Sequence, residues 1–142
     1  MGHLSLSDSV LIQQEIAPAN LAANTNGTTI DMQGWDGVLF EFNIGVMAAG
    51  VTFDAYVQNS ANANFSGPAN IVNAALTQVA NTANATLQIL DVYRPTNRYV
   101  RLSTIPGAGV FAGVTSTRYR RTGILPPTQP ATTNQIVKVQ VN

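Results

Sequence analysis

Arginine carries most of the recognition chemistry in this chain. Arg94, Arg98 and Arg101 fall close together around Pro95, and Arg118-Tyr119-Arg120-Arg121 forms a second basic cluster with a tyrosine inside it. Guanidinium groups fork onto carboxylates and phosphates and stack on aromatic faces, which is binding chemistry. Catalytic chemistry is hard to assemble from what remains. The one histidine, His3, stands at the start of the sequence, which disfavours a histidine triad or a histidine-rich metal site. Cysteine is absent, so there is neither a thiolate nucleophile nor a disulfide framework. The seven carboxylates are scattered singly. Asp31 and Asp36 flank Trp35, but a calcium loop needs several oxygen ligands at closer spacing. The preferred reading is that Trp35 caps a hydrophobic core while the aspartates hydrogen-bond their own turns. Gly107-Ala108-Gly109 is not a phosphate loop, since no lysine or helix follows it. The expectation is a protein that is not an enzyme and takes no cofactor or metal.

The charges are segregated along the chain. Every Asp and Glu lies at or before Asp91, and every Arg and Lys lies at or after Arg94. Net charge is zero, so no global field draws the protein to nucleic acid or an anionic membrane. No run is long enough for a membrane-spanning helix. Charged residues make up 10%, against about 25% in ordinary globular proteins. A surface of Asn, Thr, Ser, Gln and Ala suits a protein that lives against other protein. A secreted β-domain with an uncharged exterior is the alternative. An acidic first part and a basic last part let the arginines of one copy meet the acids of another, setting register and orientation. The plainer reading of any one arginine is a solvated surface charge.

The elements that must position these residues read as strands. Val38, Phe40, Phe42 and Ile44 alternate with Leu39, Glu41 and Asn43, and Val51, Phe53, Ala55 and Val57 alternate with Thr52, Asp54, Tyr56 and Gln58. Joined by a Gly-bounded loop, these two predict a hairpin with one wet face. Residues 87–93 and 98–102 predict a second hairpin around the turn Arg94-Pro95-Thr96-Asn97. Val10-Leu11-Ile12 predicts a first strand, and residues 17–29 a turn-rich connection with Asn26-Gly27 as a tight turn. A short strand is expected at 28–32, and a last core strand at 110–121, with Gly113 marking a bulge or a close backbone approach. Residues 59–84 are dense in Asn and Ala. They fit a short helix at 72–79 or a pair of poor strands, and either a binding loop or a surface excursion.

From Thr122 the composition changes. Pro126, Pro127 and Pro130 define an extended spacer, after which Val137, Val139 and Val141 alternate with Ile136, Lys138 and Gln140. This stretch predicts an arm that completes a sheet elsewhere by β-augmentation, or an edge strand folded back on its own sheet. The division expected is an N-terminal strand and connection at 1–27, a sandwich core at 28–122, and a spacer with its arm at 123–142. The fold class is all-β: an antiparallel β-sandwich or jelly-roll-like barrel with extended terminal segments.

The stretch Trp35-Asp36-Gly37 followed by VLFEFNIG, and then DVYRPTNRYVR at 91–101, resembles the capsid decoration (cement) proteins of tailed bacteriophages. The likeness covers about residues 28 to 121. It implies a sandwich or jelly-roll domain on the outer capsid surface of the virion, bound to the major capsid protein and often trimeric. Interface candidates are then Arg94, Arg98, Arg101, Arg118, Tyr119, Arg120 and Arg121, together with Ile136, Val137, Val139 and Val141 of the arm. A head-completion or tail component is the alternative in the same setting. A carbohydrate-binding sandwich using Trp35, Tyr56 and Tyr93 is the alternative outside it.

Overall fold

A computed structural model describes residues 5–83 and 85–119, together with Thr128 and Pro130. Two antiparallel sheets face each other across one core, so the chain is an all-β sandwich. The strands are β1 (Leu11–Leu21), β2 (Thr25–Asn26), β3 (Ile30–Asp31), β4 (Gly37–Ile44), β5 (Thr52–Ser60), β6 (Ala69–Ala75), β7 (Val79–Ala80), β8 (Thr86–Tyr93), β9 (Tyr99–Pro106) and β10 (Val110–Tyr119). The first sheet has the order β1-β10-β4-β8 and the second β2-β9-β5-β6, with β3 on β9 and β7 on β5. One helical turn, Leu6–Ser9, precedes β1, and the Asp8 carboxylate accepts hydrogen bonds from the Ser5 backbone N–H and hydroxyl.

The alternation in β4 and β5 aims inward as its pattern requires. Phe40, Phe42 and Val38 on one sheet meet Phe53, Ala55 and Val57 on the other, all at the bottom of the exposure range. The rings of Phe42 and Phe53 meet edge-on, 6.2 Å apart at 70°, the arrangement that aromatic quadrupoles favour. Val100, Leu102, Val110 and Val114 complete the layer.

Neither hairpin expected from the sequence forms. β4 pairs with β10 and β8, whereas β5 pairs with β9, β6 and β7, so Gly45–Val51 crosses between sheets. β8 and β9 are likewise in different sheets, and Arg94–Arg98 arches from one to the other. The physical reason is that a period-two pattern reports only that one face is buried. It does not name the partner strand, and in a sandwich a chain reversal joins two layers as readily as two neighbours.

The N-terminal strand is longer than its β-formers suggest. β1 runs to Leu21 and pairs with β10, so part of the expected connection is sheet. Pro18 is tolerated because β1 is an edge strand, and register shifts on either side of Ile16 absorb the irregularity. Asn26-Gly27 is not a tight turn: Thr25–Asn26 pairs with β9, and the Gly27 N–H donates to the Leu102 carbonyl at 2.9 Å. Gly113 does mark a close approach, since a Cβ there would stand 2.9 Å from Pro18 Cγ. Residues 59–84 take the second of their two readings, as the short strands β6 and β7, followed by a 3-10 turn at Asn81–Ala83.

Gly37 is required for another reason. The Tyr119 ring lies across it on the outer face of the first sheet, where a Cβ would collide with the ring's Cζ and hydroxyl oxygen. Packed there, Tyr119 donates from its hydroxyl to Asp91 Oδ1 at 2.6 Å. Gly37→Ala is expected to displace the ring and lose about 1–3 kcal/mol of stability, with a lower denaturant midpoint and an unchanged slope.

Candidate interaction surfaces

The arginines separate into distinct environments. Arg98, at the end of the β8–β9 arch, forms a bidentate pair with Asp31 on β3, Nε to Oδ1 at 2.8 Å and Nη2 to Oδ2 at 2.7 Å. Asp31 Oδ1 also accepts from the Gln33 N–H at 2.9 Å. The Arg98 hydrogen bonds hold the Asp31 carboxyl below its ordinary pKa, with the Gln33 N–H helping and partial burial opposing. A lowered folded-state value contributes stability above the unfolded carboxylate pKa of about 3.9 that is lost as pH falls through the folded value. Arg98→Leu is therefore expected to raise the Asp31 midpoint in a carboxylate NMR titration. Both partners are exposed, so stability near neutral pH should barely change.

Arg118 points inward from β10 and is half-buried. Its guanidinium donates to the Asp31 carbonyl and to Gln13 Oε1, both at 3.0 Å, and lies 5.9 Å from the Trp35 ring centre. Burial lowers its pKa, and the charges of Glu15 and Asp31 oppose that shift. Trp35 itself packs against the core, as the capping reading expects. Arg98 thus finds an acidic partner within the same chain, and Arg118 feels the charges of Glu15 and Asp31 while its hydrogen bonds go to a backbone carbonyl and an amide oxygen. The sequence segregates the charges, and the fold brings them together.

Arg101 lies on the outward side of β9, its guanidinium 4.2 Å from the centre of the buried Phe65 ring. Arg94 stands in the left-handed region at φ 51°, its N–H donating to the Asp36 carbonyl at 2.7 Å and its guanidinium 5.2 Å from the Tyr93 ring centre. A non-glycine residue held there is strained, and surrounding contacts must fix it. Asn59, buried on β5, supplies them: its amide donates to Thr96 Oγ1 at 2.8 Å and accepts from the Asn97 amide at 3.1 Å. The sequence reading missed Asn59. The available signal is a polar residue in the inward phase of Phe53, Ala55 and Val57.

The pinned arch borders an open groove of about 420 Å³ lined by Met32, Gln33, Trp35 and residues 94–98. Of the three aromatics considered for carbohydrate, only Trp35 lines it; Tyr56 and Tyr93 lie on the outward faces of the second and first sheets. Arg120, Arg121 and the arm residues Ile136, Val137, Val139 and Val141 lie outside the described residues.

A further surface was not foreseen. The outward face of the first sheet carries Leu87, Ile89 and Tyr93 on β8 and Phe111 on β10, exposed by 55, 54, 47 and 52%. Leu39, Glu41, Thr115 and Thr117 lie between them in register. No Arg or Lys of the four strands points to this side among the described residues. Leu87 and Ile89 stand two residues apart on β8, while Tyr93 and Phe111 lie toward opposite ends of the sheet, with Glu41 and Asp91 between them.

These surfaces stand on an antiparallel β-sandwich, a fold that many binding and structural proteins share. Among solved structures the chain is similar to the PBSX exported protein XepA, at 18% identity and a TM-score of 0.59 over 98% of this chain. The match takes in 46% of XepA, so the chain spans about half the length of that protein. A second, weaker likeness is to the Bacillus endospore appendages described as a novel family of disulfide-linked pili. It has 10% identity and a TM-score of 0.48, and covers 86% of this chain and 100% of that one. The XepA likeness shows a shared fold. No family model matches the chain, and no curated protein matches it.

Proposed function

We propose that this chain is a non-enzymatic structural protein of a tailed-phage particle, a decoration protein on the outer capsid surface. It binds the major capsid protein, associates with its own copies as a trimer, and stabilises the shell by bridging neighbouring subunits. The observation that carries this reading is the set of exposed large apolar side chains on the outward face of the first sheet, Leu87, Ile89, Tyr93 and Phe111, on a protein with only 10% charged residues. Support for the phage setting comes from the resemblance of residues 28–121 and from the likeness in fold to a phage exported protein. Bridging works by multiplicity: a weak contact repeated over a lattice gives strong retention, and binding to the intact shell alone raises its stability.

Purified protein added to shells of the phage that encodes it, stripped of decoration, should raise the shell melting temperature and co-sediment. Tyr93→Asp with Phe111→Asp should abolish both effects while leaving the far-ultraviolet spectrum intact. Shells that melt at the same temperature with and without the protein would overturn the reading. The groove at Trp35, Arg94 and Arg98 favours a second reading, a module for acidic sugars. A glycan array answers it, since a decoration protein leaves every spot dark.

A further inference from the structure

The two edges of the first sheet are built differently. β1 carries Pro18 within the strand and shifts register between Gln14 and Ile16 and again between Ile16 and Ala19. Proline and bulges are the usual means of stopping an edge from pairing with another chain. In the second sheet, edge strand β6 has Asn73 in the left-handed region at φ 63° and a register shift against β5, while β2 and β3 are very short. β8 has none of these guards within its own strand, and β6 of the other sheet lies beside only its end at residues 91–93. β8 pairs with β4 in unbroken register from Thr86 to Tyr93 and contains no Pro, Gly, Lys or Arg. Its one charge, Asp91, is engaged by the Tyr119 hydroxyl. A regular edge with half-exposed Leu87 and Ile89 is a template for another strand.

The sequence contains a strand that matches it. Gln135–Val141 is seven residues long against the eight of β8, and it alternates valine with longer or polar side chains. Set antiparallel with Val139 opposite Ile89, it places Val141 opposite Leu87 and Val137 opposite Asp91. On the other face Gln140 meets Gln88, Lys138 meets Leu90, and Ile136 meets Val92. No like charges oppose each other; Val139 and Val141 meet Ile89 and Leu87, and Ile136 meets Val92, while Val137 falls opposite Asp91 and Lys138 opposite Leu90.

Reach allows a neighbour's edge to be used. β10 ends at Tyr119, in register with Gly37, which is in turn in register with Tyr93 at the end of β8. The chain's own β8 edge is thus about 10 Å from that exit, two strand spacings. Residues 120–134 span about 45–50 Å when extended, and Pro126, Pro127 and Pro130 preset an extended backbone. Such a spacer reaches a neighbour's edge as well as its own, and the self-association proposed above favours the neighbour's.

We propose that β8 of each copy accepts the Gln135–Val141 segment of a neighbouring copy as an added strand of its first sheet. This rests on the self-association in the reading above and identifies its acceptor. The chain has no cysteine, so introduced thiols report only on themselves. Full-length Ile89→Cys and Val139→Cys proteins, mixed and mildly oxidised without shells, should give mostly a disulfide-linked dimer. Ile105→Cys, on the outward face of the second sheet, mixed with Val139→Cys should give little. As a measurement free of cross-links, full-length Val139→Pro should speed hydrogen exchange of the outward-paired β8 amides at least tenfold and leave β4 and β10 unchanged.

Equal cross-linking at Ile105, a disulfide confined to single chains of an Ile89→Cys, Val139→Cys double variant, or unaltered β8 exchange would each overturn the proposal. Cross-linking in copies that shells ignore would remove the capsid reading alone. Shells stabilised by protein that never cross-links would remove the strand exchange alone.

Discussion

Alanine in place of Phe42 is expected to cost about 3–5 kcal/mol, the range for truncating a fully buried aromatic side chain. Phe42 is fully buried on β4, between the two sheets, and its ring meets Phe53 across the layer. Truncation removes its apolar contacts with the core and that edge-on pair. The surroundings are poorly able to collapse into the space, because β4 is the inner strand held between β10 and β8 in continuous register. In a domain of this size the loss corresponds to a fall in Tm of about 10 °C or more. Denaturant unfolding should show a lower midpoint with the slope kept. A loss under about 1 kcal/mol would mean that the two sheets do not meet at this ring.

Glu15→Ala is expected to cost a similar amount through different physics. The Glu15 carboxylate is buried, and it accepts from the Ser116 hydroxyl at 2.6 Å, the Thr28 hydroxyl at 2.7 Å and the Thr28 N–H at 2.9 Å. It therefore ties β1 to β10 and to the segment between β2 and β3. Removing it leaves the buried Ser116 hydroxyl without its acceptor and costs two hydrogen bonds from exposed Thr28, whose donors water can reach, for a total of about 2–4 kcal/mol. Glu15→Gln keeps the volume but turns one acceptor into a donor, so a smaller loss of about 1–3 kcal/mol is expected. The comparison is read by denaturant unfolding of both variants. If glutamine proves as harmful as alanine, the negative charge rather than the acceptor count holds the junction.

Some of this was legible in the residues. Val38, Phe40, Phe42 and Ile44 announced a strand with one buried face because side-chain direction in a pleat depends only on local geometry. The same held for Phe53, Ala55 and Val57, and for the part played by Trp35 against the core. The arginines were legible as residue types suited to binding. Which of them meet partners inside the chain was not, because Asp31 and Arg98 come together only when β3 lies on β9.

The alternation of side chains thus determined on its own that this protein is made of half-buried strands, and its composition that reactive groups are few. Tertiary structure decided the rest. It put β8 and β9 in different sheets, turned Glu15 inward at a register shift in β1, and left Leu87 and Ile89 on an unguarded edge. Each of these depends on which strand lies beside which, and pairing is set by contacts between residues far apart in sequence, about which local periodicity carries no information.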